Sequence, residues 1–409
     1  MGVPCLEQGG VVSLRVLFLN WRDTRHPEGG GSEVYVENVA RSLAAAGHDV
    51  TIFCAMYEGA ADRETLEGVH YVRAGTKLSV YGEAVRRLRR REFGPLDVIV
   101  DVQNGIPFMS RAVAAGTPVV VLVHHVHREQ WPVVYDRVRS RIGWWIESQL
   151  APRLYRDCTY VAVSDRTSAE LAELGVDADR IRVIHNGIEQ APGLDVERSE
   201  VPHILVVGRL VPHKRVEHVL RAAAMLRRRH PDLRVTVVGD GWWSGRLRRV
   251  AETLGVADLV DFRGFVDEKT KHELYGSAWV LALPSLKEGW GIVVMEAATH
   301  GVPTVAYRSA GGVTESIVDG ATGVLVDGDV VDFARALGSL LNDQPAIIRM
   351  GAAARERSEQ FTWAATAEAF AEVLASATGQ STPHVSVAPA PSGHVEHHRP
   401  DDAWDQLSP

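Results

Sequence analysis

The sequence predicts an α/β protein made of two doubly wound domains. Short β-branched runs alternate with helical stretches along most of the chain, the pattern of a parallel sheet with helices packed on it. The runs are almost continuously apolar, as strands covered on both faces are. The alternation stops at QAPGLDVERSEVP (190–202), a polar segment bracketed by prolines, and then starts again. At 409 residues the chain is also longer than one hydrophobic core ordinarily supports.

In the first half, strands are expected at RVLFLN (15–20), DVTIFCA (49–55), DVIVDVQ (97–103), PVVVLVHH (118–125), TYVAVS (159–164) and RIRVIHNG (180–187). In the second half they are expected at HILVVGRL (203–210), RVTVVGDG (234–241), VDFRGF, WVLALPS (279–285) and PTVAYR (303–308). A last helical segment runs over roughly 346–375 and ends in FTWAATAEAFAEVL. Beyond it, residues 376–409 are rich in Ser, Pro and His with little apolar periodicity, which predicts a disordered tail. Its His394, His397 and His398 offer metal binding as an alternative to simple solvation.

Composition excludes several classes. A content of 45% hydrophobic and 23% charged residues is that of a soluble globular protein. The net charge of −8 argues against nucleic acid as a partner. Cys5, Cys54 and Cys158 are far apart and form no C-x-x-C pair, so neither a disulfide framework nor a thiolate metal site is expected. Residues 1–14 lack the charged start and apolar core of a signal peptide, and no run approaches the ~20 apolar residues of a membrane span. A cytoplasmic protein is the expectation.

Two stretches carry the chemistry. In the first half, RVLFLN is followed by WRDTRHPEGGGS and then by a helical pattern with Val36, Val39, Ala40 and Leu43 at helical spacing. Ser32 is the expected N-cap and Gly47 stands where the helix would end. Gly29, Gly30 and Gly31 then lie just before a helix N-terminus, where a ligand can approach the backbone and an anion can meet free N–H groups. The G-x-G-x-x-G spacing of a dinucleotide site is absent; a loop without a ligand is the plain alternative.

In the second half, VVGRLVPHKR places Arg209 and Lys214 after a strand, at the edge where ligands gather in an open α/β sheet. A rigid fork and a mobile point charge together suit a diphosphate, although a solvated turn suits the same residues. Further on, SLKEGWGIVVMEAATHGVP (285–303) holds Glu288 and Glu296. On one continuous helix they would stand ~12 Å apart at ~1.5 Å per residue. That is too far for the paired carboxylates of a glycoside hydrolase, which sit roughly 5–9.5 Å apart. Glu288 is therefore placed in a loop and Glu296 about one turn into a helix. Gly289 and Gly291 let backbone N–H groups at the helix start face an anion. An acceptor-only carboxylate there suits sugar or ribose hydroxyls. A helix cap with one buried glutamate is the alternative.

Taken together, GGGSE (29–33), GRLVPHK (208–214), VVGDG (237–241), FRGFV (262–266) and P-S-x-x-E-G-W-G-x-x-x-x-E-A (284–297) resemble the retaining glycosyltransferases of family 4. VIHNGI (183–188) is similar to that family's V-I-P-N-G-V segment, with histidine in place of proline. The likeness spans about residues 14–375. It implies the GT-B fold, two Rossmann-like doubly wound domains facing a central cleft. The expected division is an extension over 1–13, an N-terminal acceptor domain over 14–195, a C-terminal nucleotide-sugar domain over 196–355, a helix over 356–377 packing back on the N-terminal domain, and the tail over 378–409.

The resemblance also implies roles. Glu296 would bond the nucleotide ribose and Glu288 the donor sugar. The backbone of Gly289, Trp290, Gly291 and Ile292 would meet sugar and diphosphate. Arg209 and Lys214 would hold the diphosphate and stabilise the leaving nucleoside diphosphate as its charge develops. The backbone around Arg263 and Phe265 would lie by the base, and Gly30 and Gly31 would close over the phosphates from the other domain. No metal or other cofactor is expected, because two cations already face the diphosphate and no D-x-D element stands out. The donor would be a UDP- or GDP-sugar, and the acceptor a cell-envelope saccharide, a lipid-linked sugar or a small molecule. Retention by front-face attack would need no dedicated base. A nucleotide-sugar epimerase on the same fold and a non-catalytic nucleotide-sugar or glycan-binding protein are the alternatives.

VVVLVHHVHREQW adds three histidines at a strand end, with His125 and His127 on one face and His124 on the other. No partnered carboxylate or cysteine element accompanies them, which disfavours metal. By resemblance His124 would contact the donor sugar near the reacting centre, with His125 the next choice and polar packing the alternative. Finally, YGEAVRRLRRREF (81–93) and residues 128–156 mix arginine with aromatic residues, as helices lying on an anionic membrane leaflet do. A solvated arginine face is the preferred reading, with peripheral contact at the inner face of the cell membrane as the other.

Overall fold

The computed structural model describes residues 13–193 and 196–379. The expected extension, residues 1–12 of it, and the tail with its three histidines lie outside the described residues.

The apolar runs of the first half pair into one eight-stranded sheet. Its strands are β1 (Arg15–Leu19), β2 (Asp49–Cys54), β3 (Arg63–Leu66), β4 (Val69–Arg73), β5 (Val98–Gln103), β6 (Val119–Val123), β7 (Thr159–Ala162) and β8 (Ile181–Val183). The order is β3-β4-β2-β1-β5-β6-β7-β8, parallel everywhere except between β3 and β4. The second half builds a six-stranded, all-parallel sheet from β9 (His203–Val207), β10 (Arg234–Val238), β11 (Val260–Gly264), β12 (Val280–Leu283), β13 (Thr304–Tyr307) and β14 (Gly323–Val326), ordered β11-β10-β9-β12-β13-β14. The register is regular where it matters: Leu17 pairs with Thr51 on one side and Ile99 on the other.

Strand order reverses at β1 in the first sheet and at β9 in the second, so each sheet has its crevice at the C-terminal ends of its central strands. Every residue singled out around Gly30, His124, Arg209 and Glu288 follows one of those ends. Buried Val, Leu and Ile on both sheet faces make the cores.

Three strands lie outside the expected set. β3 and β4 form a hairpin through Glu67 and Gly68, both with positive φ (48° and 80°), the conformation of a type I′ turn. Glutamate is an uncommon residue there, and RETL is polar, so the turn and first strand lack their usual signals. β14 is a four-residue strand at a sheet edge.

Two boundaries also move. The first helix is Gly31–Ala45 with Gly30 as N-cap, so Ser32 is inside the helix; Glu33, at the third position, takes the Gly30 N–H at 2.8 Å. The segment expected as one helix is two, Gln344–Ser358 and Trp363–Thr378. Thr362 caps the second one by accepting from Ala365 N, and Ile188 N donates to Phe361 O across the break. The helix Trp363–Thr378 crosses to the first domain, where Phe370 and Leu374 are fully buried and Phe370 lies 6.0 Å from the Phe18 ring. Among the described residues no helix is long and apolar enough to cross a membrane.

Candidate active site

The second-domain wall comes from the ends of β9 and β12. Leu286 N donates to His213 O at 2.8 Å, which stitches the loop after β12 to the turn Pro212–Lys214. Lys214 Nζ then lies 2.6 Å from Glu288 Oε1. The Glu288 backbone is strapped on both sides, donating to Ala310 O at 2.7 Å and accepting from Gly312 N at 3.1 Å. Arg209 is close enough to Glu288 to feel its charge; burial, with the nearby Arg22 cation, pushes the guanidinium down to about 10, and it remains a cation at neutral pH. The same burial and the Lys214 and Arg209 charges push His213 down to about 3, which leaves it neutral.

The first-domain wall is the glycine turn. A methyl group on Gly30 would lie 3.5 Å from Arg209 Nε, and one on Gly31 would lie 3.1 Å from Ile292 Cγ2. The two glycines therefore let the second domain's guanidinium and helix start approach the first helix directly. Behind them Glu33 is fully buried and ion-paired to buried Arg22 at 3.0 Å, with Ser32 Oγ donating at 2.7 Å. Burial opposes the Glu33 charge, but Arg22 and Ser32 outweigh it and hold the carboxyl below its usual range. Arg22 also stacks over Trp21 at 4.3 Å.

The seam between domains is tightest at Gly289. A Cβ there would sit 2.1 Å from the His124 carbonyl oxygen, and one on Gly312 would sit 1.8 Å from Gly289 O. Gly291, at φ 85°, opens the helix Ile292–Thr299 in a left-handed turn, leaving the first N–H groups of that helix beside Gly31. Trp290 faces the other way: it is buried in the first domain's core, 4.4 Å from the His185 ring and 5.0 Å from Phe361. Its side chain is a domain anchor, so only its backbone is placed to meet a ligand. The histidine that replaces the family's proline is this same His185.

Glu296 sits one turn along that helix, accepting from Tyr275 OH at 2.7 Å and from Lys271 Nζ at 3.2 Å. Burial favours its neutral form, but Lys271 and Tyr275 outweigh burial and keep it a carboxylate. Arg263 pairs with Asp261 at 3.3 Å on the solvent side of β11, and Phe265 is half-exposed. Their backbone, through Gly264 O accepting from Gly239 N at 2.7 Å, sits at the strand-end crevice.

The three histidines separate. His124 is buried against Tyr35, 5.4 Å between rings, and burial pushes it down to about 4; its carbonyl, not its ring, borders Gly289. His125 Nε2 meets Gln130 Oε1 at 3.0 Å. His127 Nδ1 lies 3.0 Å from Glu147 Oε1, so a carboxylate does accompany the histidines, from 20 residues along the chain. Tertiary folding supplies a partner that local sequence spacing does not show.

Further side chains join the seam, Lys287 and Glu315 among them, without having stood out in the sequence. Lys287, buried, is ion-paired with Glu170. Glu315 accepts from the Asp165 and Arg166 backbone amides at 2.9 and 2.8 Å, the start of the first-domain helix Asp165–Glu173, and from His185 Nε2 at 3.3 Å. Asp165, His185 and Glu315 could together hold a cation, although Glu315 already accepts from three donors.

Cations, a helix start and two carboxylates thus converge where two doubly wound domains meet, which suits binding of a polyol linked to a diphosphate. Comparison with known proteins agrees. Residues 29–192 match the Glycosyltransferase Family 4 model and residues 195–357 the Glycosyl transferases group 1 model. The chain is 30% identical over 371 residues to a GDP-mannose-dependent alpha-(1-6)-phosphatidylinositol monomannoside mannosyltransferase of Mycolicibacterium smegmatis, covering 85% of this chain and 95% of that one. It is 29% identical to a D-inositol 3-phosphate glycosyltransferase of Streptomyces scabiei, covering 86% and 87%. The sucrose-phosphate synthase of Thermosynechococcus elongatus superposes with a TM-score of 0.76 at 21% identity, covering 88% and 98%. Two matched domain models, one on each side of the linker, and relatives aligned over nearly their whole length make this chain a member of glycosyltransferase family 4, a sugar-transferring enzyme of GT-B architecture.

Proposed function

We propose that the enzyme moves a hexosyl group from a nucleoside-diphosphate sugar to an acceptor hydroxyl with retention of anomeric configuration and without a metal ion. The observation that carries this reading is the Lys214–Glu288 pair at 2.6 Å, with Arg209 beside it and Gly30 against Arg209. In this reading Arg209 and Lys214 oppose the charge that grows on the departing diphosphate, and only interactions stronger in the transition state raise turnover. The amides at the start of helix Ile292–Thr299 take the phosphate oxygens. Glu288 and Glu296 accept hydroxyl protons of the sugar and the ribose. The relatives' names speak of GDP-mannose and of inositol phosphates, which makes these the first donor and acceptor to try.

The test is incubation with GDP-mannose or UDP-glucose, with and without D-inositol 3-phosphate, scoring free nucleoside diphosphate and the anomer formed. Release that EDTA leaves unchanged, an α-linked product, and a Lys214→Ala variant that loses turnover more than donor affinity are expected. Isomerised donor without nucleotide release would overturn the reading in favour of an epimerase.

A cytoplasmic enzyme working at an anionic membrane surface is a second reading, favoured by the helix Arg137–Trp145. Val138, Ile142 and Trp145 are 66%, 55% and 55% exposed along one face of it. Arg137, Arg139 and Arg141 flank that stripe at helical spacing. The basic helix Val80–Arg89 does not share this character: Arg86 and Arg87 are ion-paired to Glu83, and Arg86 also to Glu92.

A further inference from the structure

Glu147 is a buried carboxylate for which the reaction described above has no use. It lies in a widened π-turn, Ile146–Leu150, and such turns are rare and concentrate at functional sites. Its Oε1 accepts from the His127 backbone N–H and faces His127 Nδ1, both at 3.0 Å; its Oε2 accepts from Trp131 Nε1 at 2.7 Å. A backbone amide and an indole N–H can only donate, so the carboxylate meets this cluster as an acceptor. The hydrogen between Glu147 and His127 then belongs on Nδ1, and in the neutral ring Nε2 is left with its lone pair.

The surroundings hold the ring in place. The His125 ring packs against His127, tilted by 33° with centroids 4.1 Å apart. A Cβ on Gly105 would lie 2.9 Å from Trp131 Cζ2 and 3.6 Å from His127 Cγ, and a Cβ on Gly143 would lie 2.4 Å from Trp131 Cζ3. The indole and the imidazole are thus clamped between the loop after β5 and the helix Arg137–Trp145. The His127 side chain is 16% exposed, and Nε2 has no protein partner among the described residues. Its position borders the domain seam: it lies near His213, next to Lys214, and its neighbour Glu129 lies 4.0 Å from Lys287 Nζ. His124 Nε2 is also unpartnered but buried, and His125 bonds Gln130 through Nε2, so His127 is the histidine that pairs a carboxylate on Nδ1 with a partly exposed ring.

We propose that Glu147 is a positioning residue that holds the Nδ1–H of His127 inward, so that Nε2 faces the crevice and accepts a hydrogen bond from a sugar hydroxyl. The inference rests on the glycosyl-transfer reading for the identity of that hydroxyl, donor or acceptor, but not for the state of the ring.

Two measurements on the full chain test it. Nitrogen-15 NMR of the imidazoles, assigned with a His127→Gln variant, should show His127 in wild type as the Nδ1–H tautomer. Glu147→Gln should shift it toward Nε2–H. Kinetically, Glu147→Gln should lower kcat/KM about tenfold to a hundredfold, the loss of one hydrogen bond to a bound hydroxyl. A raised KM for the nucleotide sugar assigns the hydroxyl to the donor, and a raised KM for D-inositol 3-phosphate assigns it to the acceptor. In a His127→Gln background the Glu147→Gln change should add nothing further, and Glu147→Asp should restore part of the loss. Additive effects of the two changes, or an Nε2–H tautomer in wild type, would overturn the proposal. If Glu147→Gln does not fold, the wild-type tautomer and Glu147→Asp decide the matter. If wild type releases no nucleoside diphosphate from any donor, the transfer reading fails while the NMR result still judges Glu147.

Discussion

At the scale of single residues, the site depends on groups without side chains as much as on charged ones. Lys214 and Glu288 meet only because the loop that carries Glu288 can press Gly289 against the His124 carbonyl and Gly312 against Gly289. Gly289→Ala would put a Cβ 2.1 Å from that oxygen, a distance the backbone must relieve by moving. A shift of about 1 Å in a positioning loop can cost on the order of a hundredfold in rate. We expect Gly289→Ala to lower kcat by about that factor, measured as nucleoside diphosphate release; unchanged turnover would show that the contact does not set the loop. Gly30, Gly31, Gly289, Gly291, Arg209, Lys214, Glu288 and Glu296 stand out in the sequence because each lies in a short local motif. Lys287, Glu315 and Glu147 do not, because each acquires its role from a partner outside its own segment, as Lys287 does from Glu170.

Secondary structure elements show the same division. Eleven expected strands form, because a buried parallel strand needs a continuous apolar run and the run is readable. The hairpin of β3 and β4 escapes because its turn places glutamate at positive φ. The two basic segments look alike in sequence and differ in structure: the helix Val80–Arg89 buries Val80, Ala84 and Leu88 and pairs Arg86 and Arg87, whereas Arg137–Trp145 turns its apolar stripe outward. If that stripe meets a bilayer, replacing Val138, Ile142 and Trp145 together by serine should abolish cosedimentation with vesicles containing anionic lipid. Each change should shift folding stability by no more than about 0.5 kcal/mol, as exposed substitutions do. Equal sedimentation of the variant and wild type would refute the membrane role.

Across the whole molecule, both domains hold histidines that are buried or partly buried. Burial pushes His26, His124, His218 and His300 down to about 4, and His213 to about 3. In the unfolded chain these rings bind protons near their ordinary 6.5, so between about pH 6.5 and 4 the unfolded state holds more protons than the folded one. Stability therefore falls as the pH drops through that window. Asp101 and Glu37, whose carboxyls burial raises, act in the opposite direction but are two against five. We expect a melting temperature several degrees lower at pH 5 than at pH 7.5, read by differential scanning fluorimetry; a higher one at pH 5 would refute the assignment of neutral buried rings.

The amino-acid sequence by itself determined the fold class, the linker between two doubly wound halves, and the strand ends at which Gly30, Arg209, Lys214 and Glu288 stand. These follow from patterns a few residues long, and short-range patterns survive folding unchanged. Only the tertiary structure decided which histidine meets a carboxylate, that the Trp290 side chain anchors the other domain, and that Lys287 and Glu315 bind the seam. Those outcomes depend on which distant groups are brought to within about 3 Å of one another, where hydrogen bonds and desolvation act.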